Sequence, residues 1–321
     1  MIIRQEVNLI LHKMHRIRRR DHFISFMSAT LKGISQVLLI DNAITGLIIL
    51  IAIMITSVPL ALVALVASMI GTWICLSSGA NKSSVNEGIF GYNSVLTGLA
   101  LSLYLSGDNR WLFAIIGAAV ASLFTAAMMN VLNRLKIPIL TFPYILLTWL
   151  VLLASFGMSA IHLSNDLVQQ DVTPWRLHVG GNIEFNGVIY GISQIFFLKN
   201  IYSALLILIG IFWAGWRLGL YAVIGTIISW LSAYALGAEV TSLNMGMYGY
   251  NAVLAILAIS IIYADREGNK VLTGIIAAII TVPITASINE WMSPYGLPAL
   301  TMPFVLVTWL MISMRKRLPN L

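Results

Sequence analysis

Residues 42–81 read NAITGLIILIAIMITSVPLALVALVASMIGTWICLSSGAN, forty consecutive residues without an Asp, Glu, Lys or Arg. One transmembrane helix needs about 20 apolar residues, so this stretch is long enough for two, and Ser57-Val58-Pro59 supplies a break between them. The whole chain has the same character, because 59% of its 321 residues are hydrophobic and only 10% are charged, whereas a soluble domain has about 25% charged residues. The composition predicts an all-α polytopic membrane protein in a lipid bilayer and excludes a soluble enzyme, a secreted disulfide scaffold and a disordered protein.

Positive charge is concentrated near the two ends of the chain, which hold ten of its 19 Lys and Arg residues. A basic tail can bind nucleic acid, but in a membrane protein basic flanks are typical of segments that stay in the cytoplasm. We therefore expect no nucleic-acid partner, and basic cytoplasmic tails at residues 1–22 and 315–321. Both termini then lie on one side of the membrane, so the number of full spans is even. No A-x-A-like cleavage site closes the first apolar run, so no signal peptide is expected.

Together with the two predicted helices of 42–81, the other apolar segments form two sets of six around a polar stretch. Two of them, 92–105 and 250–263, have only 14 residues each, a length that suggests half-helices or re-entrant segments. The others lie near 23–40, 111–131, 138–154, 185–199, 201–215, 217–237, 271–289 and 298–314. The predicted organisation is a first transmembrane repeat at 23–155, an external linker at 156–184 and a second transmembrane repeat at 185–314.

Short motifs recur in the same order in both sets, and the spacing between the two copies is nearly constant. Gly-Ile-Ser-Gln occurs at 33–36 and 191–194, and Gly-Tyr-Asn occurs at 91–93 and 249–251. The third match consists of Pro138, Thr141, Pro143, Thr148 and Trp149, which recur as Pro298, Thr301, Pro303, Thr308 and Trp309. Such a repeat predicts two homologous halves that meet at a pseudo-two-fold axis, with a solute site between them.

If the two repeats are inverted, each half contains an odd number of full spans. Six segments of which one is re-entrant leave five spans, and a total of ten agrees with two cytoplasmic termini. The linker then lies outside, in keeping with its charge, since it holds Asp166, Asp171 and Glu184 against Arg176.

The placement of ionisable residues excludes several kinds of site. All 12 acidic residues and all five His fall in predicted tails, linkers or segment ends, whereas proton and cation transporters usually place such groups within the membrane. Cys75 is the only cysteine, which excludes a disulfide framework, and no residues have metal-ligand spacing. We therefore expect no enzyme, no metal and no cofactor, and a pathway suited to a neutral solute.

Gln36 and Gln194 are amides in apolar surroundings at repeat-equivalent places. A side-chain amide offers two donors and an acceptor oxygen to a solute. Helix–helix hydrogen bonding and snorkelling to the membrane interface are the alternatives, and the recurrence favours pore lining.

Thr141 and Thr301 each lie in a Pro-x-x-Thr-x-Pro motif. Two prolines in six residues oppose a regular helix and leave carbonyl groups without intrahelical partners, which a membrane tolerates only inside protein or along a watery path. We expect the hydroxyls and freed carbonyls to form a row of acceptors for a small proton-donating solute, such as urea or a short amide. A structural kink is the alternative.

Two aromatic–leucine pairs could flank a flat solute, because residues at i and i+4 share a helix face. They are Tyr92 with Leu96 and Tyr250 with Leu254, each containing the Tyr of a Gly-Tyr-Asn motif. Plain packing is the alternative.

Residues 297–304, Leu-Pro-Ala-Leu-Thr-Met-Pro-Phe, resemble the urea transporter signature Leu-Pro-x-x-Thr-x-Pro-Phe. Residues 137–144 are a partial first-half copy, with Ile137 in place of Leu and Tyr144 in place of Phe. The family's Gln/Glu-Val element is matched by Gln36-Val37 and Gln194-Ile195. Its aromatic-Asn element is similar to the two Gly-Tyr-Asn motifs, so the resemblance covers both halves.

The resemblance implies five spans and one re-entrant helix in each inverted half, a pore through each protomer of a homotrimer, and passive conduction of urea. Gln36 and Gln194 would guard the two ends of the filter, with Thr141 and Thr301 near its centre. The apolar slots and the residues beside the amides would be Tyr92, Leu96, Leu39, Val37, Tyr250, Leu254, Phe197 and Ile195. An aromatic residue is expected where Leu39 stands, and the family's second half often carries Glu where Gln194 stands, so this pore is expected to be more fully neutral.

Two other functions compete with a urea channel in a bacterial inner membrane. An ion-coupled carrier for another small neutral solute would need a coupling-ion site, and a membrane-embedded enzyme would need a nucleophile–base or metal constellation. The sequence offers neither at mid-membrane.

Overall fold

The structure is a computed structural model that describes residues 21–164, 181–264, 269–315 and 317. Most of each predicted tail and most of the predicted linker therefore lie outside the described residues. In the first half the helices are α1 (Asp21–Leu38), α2 (Ala43–Thr56), α3 (Val58–Ser77), α4 (Lys82–Asn86), α5 (Tyr92–Tyr104), α6 (Arg110–Arg134) and α7 (Phe142–Ala154). In the second half they are α8 (Asn186–Phe196), α9 (Ile201–Ala214), α10 (Trp216–Ala235), α11 (Val240–Asn244), α12 (Gly249–Ile262), α13 (Lys270–Tyr295) and α14 (Met302–Arg315).

The sequence repeat is also a repeat of helices. The pairs α2 and α9, α3 and α10, and α4 and α11 begin and end at repeat-equivalent positions, and α7 and α14 begin at the same place in the two copies of the Pro-x-x-Thr-x-Pro motif. Among the described residues the only strands are β1 (Leu105–Ser106) and β2 (His162–Leu163), an antiparallel pair that holds the start of the linker against the end of α5. The prediction of an all-α polytopic membrane protein is confirmed.

Four of the described helices are long and apolar enough to cross a membrane, namely α3, α6, α10 and α13. Each bent pair, α1 with α2 and α8 with α9, would add one span if it crosses as a unit, giving up to six. The outer faces of these helices are apolar: Leu112, Ile116, Val120 and Leu123 form an exposed stripe on α6. Its inner face carries small and hydroxyl residues instead, as is common where membrane helices pack closely.

The first helix of each half meets the next helix at a sharp bend. The axes of α1 and α2 differ by 74°, and those of α8 and α9 by 72°. The short helix α5 is instead enclosed by protein, since Tyr92–Ser102 are all buried. The bends favour α1 and α8 as the re-entrant elements rather than segments 92–105 and 250–263.

Reciprocal hydrogen bonds relate the two halves by a pseudo-two-fold axis. The Thr45 hydroxyl donates to the Gly210 carbonyl at 2.9 Å, and the Ser203 hydroxyl donates to the Ala52 carbonyl at 2.7 Å. Thr45 and Ser203 occupy equivalent positions of the two repeats, as do Ala52 and Gly210. Each half thus presents the same patch of α2 or α9 to the other, which is the pattern of a two-fold contact. The main hydrophobic core lies between the halves and draws residues from both.

Arg315, which is predicted to begin the basic C-terminal tail, belongs instead to helix α14. It ends α14 and is buried, with its guanidinium donating to the Ile259 and Tyr263 carbonyls at 3.2 and 2.9 Å and to the Thr273 hydroxyl at 2.5 Å. The π-helical turn Ala258–Ile262 frees carbonyl groups at the end of α12, and a planar cation with several donors can satisfy them together.

Candidate functional site

The Gly-Ile-Ser-Gln motifs build the bends after α1 and α8. A 3₁₀ turn, Gln36–Leu38, ends with Leu39 in the left-handed region at φ 61°, and Phe197 has the same φ after the turn Gln194–Phe196. The serine holds this turn, because the Ser35 hydroxyl donates to the Ile40 carbonyl at 2.7 Å, as the Ser193 hydroxyl does to Leu198. Large side chains rarely adopt positive φ, so this conformation of Leu39 and Phe197 costs free energy. The bend turns both side chains inward, against the core between the halves.

The glycines of the two repeated motifs allow their helices to cross at close range. A Cβ on Gly91 would lie 2.9 Å from the Cα of Gly33, and one on Gly249 would lie 2.6 Å from the Cα of Gly191. Both distances are too short for any side chain. The crossings bring the start of α5 against α1 and the start of α12 against α8. Gly-Ile-Ser-Gln and Gly-Tyr-Asn recur together because they are in contact.

Each glutamine spans this crossing with its amide. Gln36 donates through Nε2 to the Glu87 carbonyl at 2.9 Å, and Gln194 donates to the Met245 carbonyl at 3.0 Å. A carbonyl only accepts, so the orientation of both amides is fixed. In the described part of the chain no group donates to either Oε1, which leaves that oxygen available as an acceptor.

The Tyr-Asn pairs hold the turns that carry the threonines. Leu140 and Leu300 have positive φ of 49° and 52°, and their carbonyls each accept two hydrogen bonds. Tyr92 Oη and Asn93 Nδ2 donate to Leu140 at 2.7 and 3.4 Å. The Tyr250 hydroxyl and Asn251 amide donate to Leu300 at 2.7 and 3.3 Å.

Two tryptophans fasten these turns across the halves. The Trp149 indole donates to the Pro298 carbonyl at 2.9 Å, and Trp309 donates to Pro138 at 2.8 Å. The Pro138 and Pro298 carbonyls each accept one bond within the protein, and those of Leu140 and Leu300 accept two. The two leucine carbonyls therefore have no lone pair left for the predicted row of acceptors.

Thr141 and Thr301 meet at the centre of this arrangement. Their hydroxyl oxygens lie 2.6 Å apart, and both residues are buried. Equivalent residues of a repeated motif come into direct contact only where a two-fold axis passes between them. The geometry brings the two predicted central residues together from opposite halves.

A cavity adjoins this pair on the side of Gln194. The predicted site residues among its lining are Gln194, Ile195, Phe197, Tyr250 and Thr301. The first-half residues Gln36, Val37, Leu39, Tyr92, Leu96 and Thr141, and Leu254 of the second half, do not line it. Of these residues, Val37, Tyr92, Leu96 and Leu254 are buried in the core between the halves, and Leu39 packs against that core.

The cavity also contains residues that sequence reasoning misses. Tyr104 packs edge-on against Phe197 with ring centroids 5.9 Å apart, although α5 offers no motif at that position. Asn289 accepts from the Ala299 amide at 3.2 Å and lines the cavity beside Pro298. Tyr144 stands out in the sequence only because it replaces the Phe of the signature motif in the first half. Trp149 and Trp309 recur at equivalent places of the two halves, and this recurrence could have predicted their reciprocal contacts.

The surroundings of the site are neutral. Among the described residues Arg315 is the only buried residue with a charged side chain, and it is bonded to carbonyls at the end of α12. The single ion pair in the described part of the chain, Lys32 with Asp41 at 2.8 Å, is partly exposed beside the first bend. The site offers amide, hydroxyl and aromatic groups to a solute.

The chain matches a protein family and several known proteins over most of its length. Residues 27–316 match the family described as "Urea transporter". Over 312 residues the chain is 25% identical to Urea transporter 1 of Ovis aries, covering 95% of this chain and 81% of that protein. It is also 25% identical over 305 residues to Urea transporter 1 of Mus musculus, covering 93% and 79%. Since the family match extends over both halves, the chain belongs to the urea transporter family.

Proposed function

We propose that this protein conducts urea passively across a membrane through a neutral path between its two halves. The observation that carries the proposal is the contact between Thr141 and Thr301, at which two symmetry-related turns meet beside a cavity lined by amide, hydroxyl and aromatic groups. Family membership and relatives named as urea transporters support urea as the solute.

The chemistry of the lining suits urea because urea is small, uncharged and rich in N–H donors. Gln36 and Gln194 stand at the two ends of the proposed filter, and each has an Oε1 that can accept from a urea nitrogen. Thr141 and Thr301 stand at its centre and offer hydroxyls. A row of single neutral groups binds weakly enough for release, which conduction requires.

The apolar slots complete the proposed filter. Tyr92 and Leu96 on α5 and Tyr250 and Leu254 on α12 would flank the flat solute, with Leu39 and Phe197 at the bends. Val37 and Ile195 would pack beside the amides. Because the hydroxyls of both tyrosines are bonded to the Leu140 and Leu300 carbonyls, these tyrosines would present rings rather than hydroxyls to the path.

The Thr141–Thr301 contact must part when a solute passes. A hydrogen bond between two neutral hydroxyls contributes about 1 kcal/mol net, and urea can replace it by donating to both oxygens. We infer that this exchange is the central step, since both hydroxyl oxygens then accept hydrogen bonds from urea when the contact between them parts.

We extend the proposal to the organisation of the whole chain in the membrane. It consists of a first repeat at 23–155, an external linker at 156–184 and an inverted second repeat at 185–314, with ten spans and basic cytoplasmic tails. The protein would form a homotrimer with a pore in each protomer, in a bacterial inner membrane. It would have no enzymatic activity.

Solute flux into proteoliposomes, followed by stopped-flow light scattering, tests the function. Urea should enter many times faster than into protein-free liposomes, and collapsing proton and sodium gradients with ionophores should leave the rate unchanged. Entry at the rate of empty liposomes would refute urea conduction. A requirement for either gradient would instead favour an ion-coupled carrier.

A further inference from the structure

Tyr144 carries a hydroxyl that the packing of the protein does not require. It belongs to the first-half copy of the signature, and its equivalent in the second-half copy is Phe304. Both rings are fully buried, and both belong to the core between the halves. The same place in the fold therefore accepts a ring without a hydroxyl, so the oxygen of Tyr144 is an addition to a structure that packs without it.

The Tyr144 hydroxyl has no hydrogen-bond partner among the described residues. Burying a hydroxyl without a partner costs free energy, and most buried polar groups in proteins are bonded. Tyr92 and Tyr250 show the usual outcome, since each donates to a carbonyl at 2.7 Å. Other buried hydroxyls among the described residues, such as those of Thr148 and Thr308, also lack a partner, but of these residues only Tyr144 lines the cavity, where a partner can come from outside the protein.

Tyr144 also lies where such a partner would arrive. It lines the cavity together with Thr301 and Gln194, so a solute that reaches the Thr141–Thr301 contact passes its side chain. The other polar groups of the proposed filter, the two Gln oxygens and the Thr hydroxyls, are suited to accept from the solute's N–H groups. The Tyr144 hydroxyl can donate to the solute's carbonyl oxygen without giving up a bond to the protein, whereas the Tyr250 hydroxyl is already bonded to the Leu300 carbonyl.

We propose that the Tyr144 hydroxyl donates a hydrogen bond to the carbonyl oxygen of the solute as it passes Thr301, making Tyr144 a specificity-determining residue of the path. This rests on the proposed urea conduction. The bond selects solutes with a strong acceptor opposite their N–H groups, which distinguishes urea from thiourea because sulfur is a weak acceptor.

Tyr144→Phe removes the hydroxyl and copies the residue found at position 304. Its effect is read from the ratio of urea to thiourea flux in proteoliposomes, measured on the same preparations. Loss of one neutral hydrogen bond should lower this ratio about two- to tenfold, with most of the change in the urea flux. The matched control is Tyr202→Phe on α9, an exposed tyrosine, and its ratio should equal that of the wild type.

Thermal unfolding in detergent separates this role from a structural one. Because the hydroxyl has no partner in the described part of the protein, Tyr144→Phe should unfold at the wild-type temperature or higher. An unchanged flux ratio, or a lower unfolding temperature, would overturn the assignment of Tyr144. A wild-type protein that conducts no urea would instead refute the proposed function.

Discussion

Thr141 and Thr301 place their hydroxyl oxygens 2.6 Å apart although 160 residues separate them in the chain. Each follows a leucine with positive φ whose carbonyl is held by a Tyr and an Asn of its own half. Each turn is also fastened by a Trp of the opposite half. The contact is therefore set by six side chains around it, and a solute can displace it without disturbing those supports.

Replacing both hydroxyls should slow urea conduction while the fold is retained. Thr141→Val with Thr301→Val keeps the side-chain shape and leaves no single hydroxyl without its partner, so stability should change by less than about 1 kcal/mol, because both partners of one bond are removed together. Urea would lose two acceptors at the centre of the path. We expect its flux to fall about tenfold or more in stopped-flow measurements.

The matched control for this pair is Thr125→Val on α6. Thr125 is also buried, but its hydroxyl donates to the Ala121 carbonyl of its own helix at 2.7 Å, away from the proposed filter. Its urea flux should equal that of the wild type. Equal fluxes in the control and the double variant would remove the two threonines from the path.

Gln36→Leu and Gln194→Leu should each reduce urea flux several-fold, because each removes the acceptor oxygen at one end of the filter. The same substitutions leave the Glu87 or Met245 carbonyl without its donor, so each should also lower stability by about 1 kcal/mol. Flux and thermal unfolding, measured on the same samples, read out the two effects separately. Normal flux with lowered stability would show that the amides only join helices.

The helical class and the repeat can be predicted from the sequence because both depend only on which residues occur and at what spacing. Low charge, apolar runs and the constant spacing of the repeated motifs need no knowledge of contacts. The sequence also predicts that Thr141 and Thr301 are special, since their motif resists a helix. It does not predict their partners. That the Pro138 and Leu140 carbonyls are taken by Trp309, Tyr92 and Asn93 depends on how three helices pack.

Sequence reasoning misses the location of the bends for a related reason. Segment length favours 92–105 as re-entrant, but a short helix can also be one enclosed by neighbours, as α5 is. The turn after α1 depends on Leu39 at positive φ, a conformation that the identity of a leucine does not reveal. Only Ser35, which bonds across the turn, gives an indication of it.

The two indole–carbonyl bonds should stabilise the association of the halves. Trp149→Phe and Trp309→Phe keep an aromatic ring but leave the Pro298 or Pro138 carbonyl without its donor, at a cost of about 1–3 kcal/mol each. Both variants should unfold at lower temperature in detergent. Trp73→Phe, at an exposed position on α3, should unfold like the wild type. If the Trp149 and Trp309 variants match this control, the reciprocal bonds do not hold the halves together.

The glycine crossings should tolerate no side chain. Gly91→Ala would place a Cβ 2.8 Å from the Ser68 hydroxyl and 2.9 Å from the Cα of Gly33. Alanine favours a helix by about 1 kcal/mol over glycine, but forcing apart two packed backbones costs about 1–3 kcal/mol or more, so the variant should be less stable. The movement of α5 away from α1 should also stretch the bond from Gln36 to Glu87 and reduce urea flux.

Gly157→Ala is the control for this variant, because its Cβ would meet no atom closer than 3.9 Å. A Gly91→Ala protein as stable and as conductive as that control would show that α1 and α5 can separate freely, and that the crossing does not position the amide.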